Sequence, residues 1–189
     1  MKIKKAFETC KKQGIIYIFR NELDEQYLSD GSAIYPVFDL PILNEDYICR
    51  LYDITDSQRN KIVFNIFKEM PEIDVSDSSE IETPAAMWDI TLNYNGTTII
   101  PIATDEGVMF INSIYFKPFA DMPQNEMQIT KRVDERATPY FCIKFGLLAY
   151  GFIYPTKIVD IEFVEKIKKL YEQSKIILQN QRNLDNETV

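Results

Sequence analysis

Between Trp88 and Ala103 the chain spells out a β-hairpin almost residue by residue. Trp88, Ile90, Leu92 and Tyr94 alternate with Asp89, Thr91 and Asn93, Asn95-Gly96 follows, and a second run from Thr97 to Ala103 returns. Period-two alternation puts the apolar set on one face of a strand, and Asn-Gly suits the tight two-residue turn that joins antiparallel partners. A chain carrying this signal is committed to locally paired, antiparallel sheet.

Other segments repeat the theme. IIYIF at 15–19 and KIVFNIF at 61–67 are apolar enough for buried strands, and residues 26–37 supply two short strands bent at Asp30-Gly31. After Asp105-Glu106-Gly107 comes VMFI, then Asn112 as the cap of a helix carrying Ile114, Tyr115, Pro118 and Phe119. EMQITKRV, PYFCIKF and LLAYGFIYP supply three further strands. Helices are expected over 2–12, where Ala6, Phe7 and Cys10 share a face, and after Asn44, where Tyr47, Ile48, Leu51 and Ile54 do. A last helix starts after Asp160, with Ile161, Val164, Ile167, Leu170 and Tyr171 toward the body, and a polar tail follows Asn180. The expected fold is α+β: antiparallel sheets with short helices and a C-terminal helix. The halves share an order of strand, turn, strand, Asp-Gly turn, strand, Asn-capped helix, strand, which reads as a degenerate internal repeat.

Composition removes many chemistries. The 189 residues include no histidine and three cysteines, Cys10, Cys49 and Cys142. Ser-His-Asp triads, Cys-His pairs and His-ligated zinc are therefore excluded. The cysteines form no C-x-x-C pair and read as reduced, buried thiols. No apolar run reaches the roughly 18 residues of a membrane helix, and Met1–Lys12 lacks the apolar middle of a signal peptide, so a cytoplasmic protein with no membrane association is expected.

Charge is distributed unevenly. The chain has 21 Lys+Arg against 29 Asp+Glu, a net −8, yet no Lys or Arg lies between Lys68 and Lys117. That window holds Glu69, Glu72, Asp74, Asp77, Glu80, Glu82, Asp89, Asp105 and Glu106. Residues 69–82, EMPEIDVSDSSEIE, are polar and read as solvated, giving an N-terminal lobe at 1–68, an acidic connector at 69–87 and a C-terminal lobe at 88–189 that includes the closing helix. Carboxylates along an extended segment can mimic a phosphate backbone and steer a protein into a basic groove. Asp74, Asp77, Glu80 and Glu82 are the candidate partner-binding residues, and the expected partner is a basic protein surface on a nucleic-acid-acting enzyme.

Other motifs have plainer readings. Asp30-Gly31 and Asp105-Glu106-Gly107 are turn chemistry, in which Asp bonds its own backbone. Gly146 and Gly151 bracket strand residues and make no phosphate loop. The 11 Tyr and 12 Phe sit in alternating or apolar strands and read as core. Lys2, Lys4, Lys5, Lys11 and Lys12 form a small basic face, a solvated helix surface open to a weak phosphate contact. No catalytic residue, cofactor or metal site is expected, which sets a carboxylate-dependent hydrolase last among the readings.

The segments VMFINSIYFKPFADM, EMQITKRV and PYFCIKFGLLAYGFIYPTKI, within 108–159, resemble bacterial DNA sliding-clamp domains in their Asn-x-x-Tyr-led helix, strand, turn and Pro-terminated final hairpin; YLSDGSAIYP at 27–36 resembles the clamp segment around a Thr-Asp-Gly turn. The resemblance implies two clamp-like lobes and a role as an accessory factor in phage replication or recombination. Against it, the helix from Asn112 to Met122 offers only Lys117 as a cation, whereas pore-lining clamp helices are basic. The whole chain also resembles small proteins of prophages and mobile elements in low-GC bacteria. The leading expectation is a non-catalytic mobile-element protein that inhibits a host or defence enzyme, of anti-restriction or anti-CRISPR type, through its acidic window.

Overall fold

The computed structural model describes residues 1–158 and 160–187, with side chains undescribed at 175 and 177–187. The chain divides into two compact units, Met1–Thr156 and Lys157–Val189.

The first unit is α+β. One eleven-stranded sheet runs β4 (Val63–Phe67), β1 (Ile15–Arg20), β2 (Gln26–Ser29), β3 (Ala33–Val37), β11 (Leu148–Ile153), β10 (Pro139–Phe145), β9 (Met127–Val133), β5 (Thr83–Met87), β7 (Thr97–Thr104) and β6 (Leu92–Tyr94), with β8 (Gly107–Asn112) also on β7. Every pairing is antiparallel except that of β1 with β4. The expected hairpin is present: Asn95 and Gly96 both hold positive φ, 49° and 77°, and Leu92, Asn93 and Tyr94 face Ile99, Thr98 and Thr97. β5 and β6 are successive lengths of one edge of β7, interrupted from Trp88 to Thr91. β5 lies where composition reads a connector. Its first half pairs with β9 and its second with β7, so it joins two stretches of sheet.

The halves do not separate as 1–68 and 88–189, because β3 pairs with β11 through Ile34↔Phe152 and Ala33↔Ile153. The repeat in the structure is also framed differently from the sequence reading. A helix followed by a three-strand meander occurs twice: α1 (Ile3–Gln13) before β1–β3, and the 3₁₀ helix Ser113–Phe119 before β9–β11. The two meanders meet antiparallel through their last strands, which relates them by an approximate two-fold axis. The two helices lie against each other, and the Lys2 N–H donates to the Pro118 carbonyl at 2.8 Å. The second helix is 3₁₀ because Pro118 lies within its single short run and cannot donate to an α ladder.

Each face of the sheet has its own cover. Under the helices, Ala6, Phe7 and Cys10 pack with Ile16, Ile18, Leu28, Tyr35, Tyr115, Phe119, Phe141 and Ile143. The opposite face presents Tyr27, Ile34, Tyr140, Cys142 and Phe152, covered by Met70, Ile73 and Val75. Strands β2 and β3 are therefore buried on both sides, which explains why their sequences carry little alternation. Gly151 sits where the helices come down on the meanders. A Cβ there would lie 2.7 Å from Cζ of Phe119 and 3.3 Å from Cδ1 of Tyr35, so only glycine lets the layers close.

The short helices α2 (Glu45–Leu51) and α3 (Asp56–Arg59) are capped by Asn44 and Thr55, whose side chains accept from Tyr47 and Gln58 N–H. The second unit contains α4 (Ile161–Glu187), which continues past the expected end at Asn180 and exposes Ile161, Leu170 and Ile176. None of the described helices is long and apolar enough to cross a membrane.

Candidate functional site

Residues 69–82 are not a solvated connector but a strap across the second face of the sheet. Antiparallel register puts Arg132 opposite Tyr140, Thr130 opposite Cys142 and Gln128 opposite Lys144, and Arg132, Tyr140 and Lys144 all bond to the strap. Arg132 is fully buried. Its Nη1 donates to the carbonyls of Asp74 and Ser76 at 3.0 and 2.8 Å, and its Nε and Nη2 donate to Oε2 of Glu82 at 3.1 and 2.7 Å. Lys144 Nζ donates to the other oxygen of Glu82 at 2.6 Å. A buried guanidinium needs this set of acceptors, since an unpaired cation in the interior costs several kcal/mol.

The four carboxylates expected to bind a partner therefore divide. Glu82 bridges two buried cations, Asp74 lies 4.0 Å from Arg132, and the exposed Asp77 accepts the Ala149 N–H at 2.8 Å; Glu80 is exposed and has neither an ion pair nor a hydrogen bond of its side chain among the described residues. Burial pushes the Glu82 carboxyl up, but hydrogen bonds from Lys144 and Arg132 outweigh it and hold the group below its ordinary value. Asp74 behaves alike: burial raises it, while the Ser76 and Ser79 hydroxyls, the Ser76 N–H and Arg132 bring it down.

Elsewhere in the window, Lys131 points to the opposite face and pairs with Asp105 and Glu106 at 2.5 and 3.0 Å, and Glu72 pairs with Arg136 at 2.7 Å. Thus the cations missing between Lys68 and Lys117 are supplied from β9, β10 and the turn between them. Only Glu69, Glu80 and Asp89 of the nine window carboxylates are left exposed without a bonded partner among the described residues. The signal that could have revealed the strap is Lys144 inside PYFCIKF, because a cation in a strand buried on both faces requires an anion brought from elsewhere.

A group of lysines without ion pairs among the described residues gathers on the α1 side of the first unit. Lys5, Lys12 and Lys117 line a hollow of about 380 Å³ between α1 and the Ser113–Phe119 helix, together with Glu8, Thr9 and Ile114. Next to it, Lys11, Lys12 and Lys61 line a second hollow of about 470 Å³ with Glu8 and Gln58. Lys5 is tied to Glu8 and Lys2 to Asp121, whereas Lys4, Lys11, Lys12, Lys61 and Lys117 have no ion-pair partner among the described residues. Lys61 and Lys117 lie far from the α1 lysines along the chain; the packing of the two helices and the approach of β4 to β1 bring them together.

The turn aspartates serve their turns. Asp30 Oδ1 accepts the Ser32 and Ala33 N–H groups, each at 3.0 Å, and Asp105 is bound to Lys131. Burial raises the Cys142 thiol to about 11 and drives Cys10 well above its ordinary value, which leaves both as inert thiols. Among the described residues no three Cys, Asp or Glu side chains come together as a metal site requires. No family model, curated protein or solved structure matches the chain.

Proposed function

We propose that the protein is a non-catalytic binding module of a phage or mobile element that works alongside nucleic-acid enzymes, and that its α1 side contacts the phosphate backbone of duplex DNA. The observation that carries this is the gathering around α1 of Lys4, Lys11, Lys12, Lys61 and Lys117, none in an ion pair among the described residues, with Glu8 and Asp53 as the carboxylates lining the same hollows, while cations of β9, β10 and their turn pair with five of the nine window carboxylates. Phosphate contacts of this kind position a protein without reading bases. The repeated helix-and-meander unit supports a clamp-like accessory reading of each half. Binding of a labelled duplex, followed by anisotropy against salt, tests it. With about four phosphates neutralised, log K falls against log salt with a slope near −3.6. The Lys12→Glu, Lys117→Glu double variant should lose most of that binding and flatten the slope. No binding at low salt, or binding indifferent to the double variant, refutes the proposal.

A second reading is the inhibitor of a restriction or CRISPR-type enzyme, docked through acidic groups. It is favoured by Glu80, which projects from the strap beside the exposed Ile81. It predicts that a captured basic enzyme is released by Glu80→Lys and untouched by the lysine variants.

A further inference from the structure

A third hollow, of about 470 Å³, is lined by α1, β1 and the end of α2. Its walls are apolar: Phe7 and Ile16 are buried, Tyr52 stacks on Phe7 with ring centroids 4.2 Å apart, and Leu51 is 43% exposed. A space of this size lies within the roughly 300–1,000 Å³ of small-molecule sites. Four charged residues complete the lining. Lys4 and Lys11 stand two helical turns apart, about 10.5 Å along α1, and neither has an ion pair among the described residues. Glu8 is tied to Lys5 at 2.9 Å.

Asp53 is the fourth. The chain leaves α2 with the Ile54 N–H donating to the Cys49 carbonyl at 2.9 Å, around Asp53 at φ 48°. Glycine is usual at that position of a helix end, because a Cβ is strained at positive φ. Here the position carries an exposed carboxylate instead, which has neither an ion pair nor a hydrogen bond of its side chain among the described residues.

Taking the lysine face as a phosphate surface, we propose that this hollow receives one unpaired nucleobase bearing an exocyclic amine, swung out of the DNA held alongside, an inference that rests on the duplex-binding reading above. The ring lies against Tyr52 and Leu51, the flanking phosphates meet Lys4 and Lys11, and Asp53 accepts from the amine. Cytosine presents an N–H donor where thymine presents a carbonyl oxygen, so the carboxylate favours the first and repels the second. Extrusion costs least where a nucleotide already lacks a partner, which makes bulged or gapped DNA the substrate. The mixed lining is what such a nucleotide requires. A purely anionic ligand would meet Asp53 and Glu8 as well as the two lysines, and an apolar side chain of a protein would leave Lys4, Lys11 and Asp53 unused.

Duplexes identical except at one central position make the test: fully paired, or with one extra unpaired cytidine, thymidine or abasic unit, the last keeping the bend and the phosphate without a base. The cytidine bulge should bind roughly tenfold tighter than the paired and abasic duplexes, with thymidine between, and the cytidine and abasic duplexes should share one salt slope because stacking releases no counterions. Asp53→Gly suits the turn, so it should melt at or above wild type while equalising cytidine and thymidine. Equal binding of the cytidine and abasic duplexes, with a steep salt slope, leaves the phosphate surface standing and overturns the base site. No binding of any duplex at low salt overturns both. Thymidine bound as tightly as cytidine, a cytidine preference that survives Asp53→Gly, or Leu51 methyl resonances that shift with decanoate and not with the bulged duplex overturns the base site as well.

Discussion

Replacing Glu82 with Gln isolates the contribution of the strap. The carboxylate is 22% exposed and serves Arg132 and Lys144, whose side chains are 0% and 8% exposed. Glutamine keeps the shape and one acceptor but removes the charge, leaving two buried cations with only Asp74 at 4.0 Å from one of them. Breaking one partner of a buried ion pair costs about 3–5 kcal/mol, and the residual solvent access of Glu82 places the loss at the lower end, about 3 kcal/mol. At about 2–4 °C per kcal/mol for a unit of this size, the thermal midpoint at pH 7 should drop by about 6–12 °C. Calorimetry on the variant and on Glu80→Gln, whose carboxylate stands in solvent, makes the comparison; the latter should move by less than about 2 °C. The pH dependence has a defined sign. The Glu82 carboxyl lies below its ordinary 4.5 when folded, so its stabilisation is complete above that pH and fades as pH falls through the folded value. The gap between wild type and Glu82→Gln should therefore close in acid. A variant melting within 2 °C of wild type at pH 7, or a gap that persists at pH 2, would refute the reasoning.

Two further outcomes follow from the packing. Gly151→Ala forces a methyl group into Phe119 and Tyr35 and should destabilise the first unit by about 1–3 kcal/mol, read as a melting shift; an unshifted melt would mean the helices ride higher on the sheet than described. Cys10 and Cys142, raised by burial, should ignore a thiol reagent at pH 8 in the native protein and react in denaturant, and stoichiometric native labelling of either would contradict their burial.

What could be read from the sequence was local. Asn95-Gly96, the Asp30-Gly31 bend, and the caps at Asn44 and Asn112 depend on residues within four positions, and all appear as expected. The strap could not be read that way. Ser-rich and acidic, residues 69–82 have no internal reason to be ordered, and what orders them lies some 50 to 62 positions on in Arg132 and Lys144. β5 was hidden for a related cause: TPAAM lacks β-branched bulk beyond Thr83, and its place comes from two neighbours rather than from propensity. The lysine face combined both conditions, since α1 declares its own cations while Lys61 and Lys117 join only through tertiary packing.

The seam between β3 and β11 sets a timetable for biogenesis. Ile34 and Phe152 are partners across roughly 120 residues of chain, which a ribosome adding about 5–20 residues per second takes about 6–24 s to make. Through that interval the first meander waits with one flank of β3 open and its second face uncovered by the strap's Met70, Ile73 and Val75 until they too have emerged and docked. The nascent chain is thus sticky for far longer than a hairpin takes to form, and its yield in a cell should depend on chaperone supply and growth temperature more than on the stability of the finished protein.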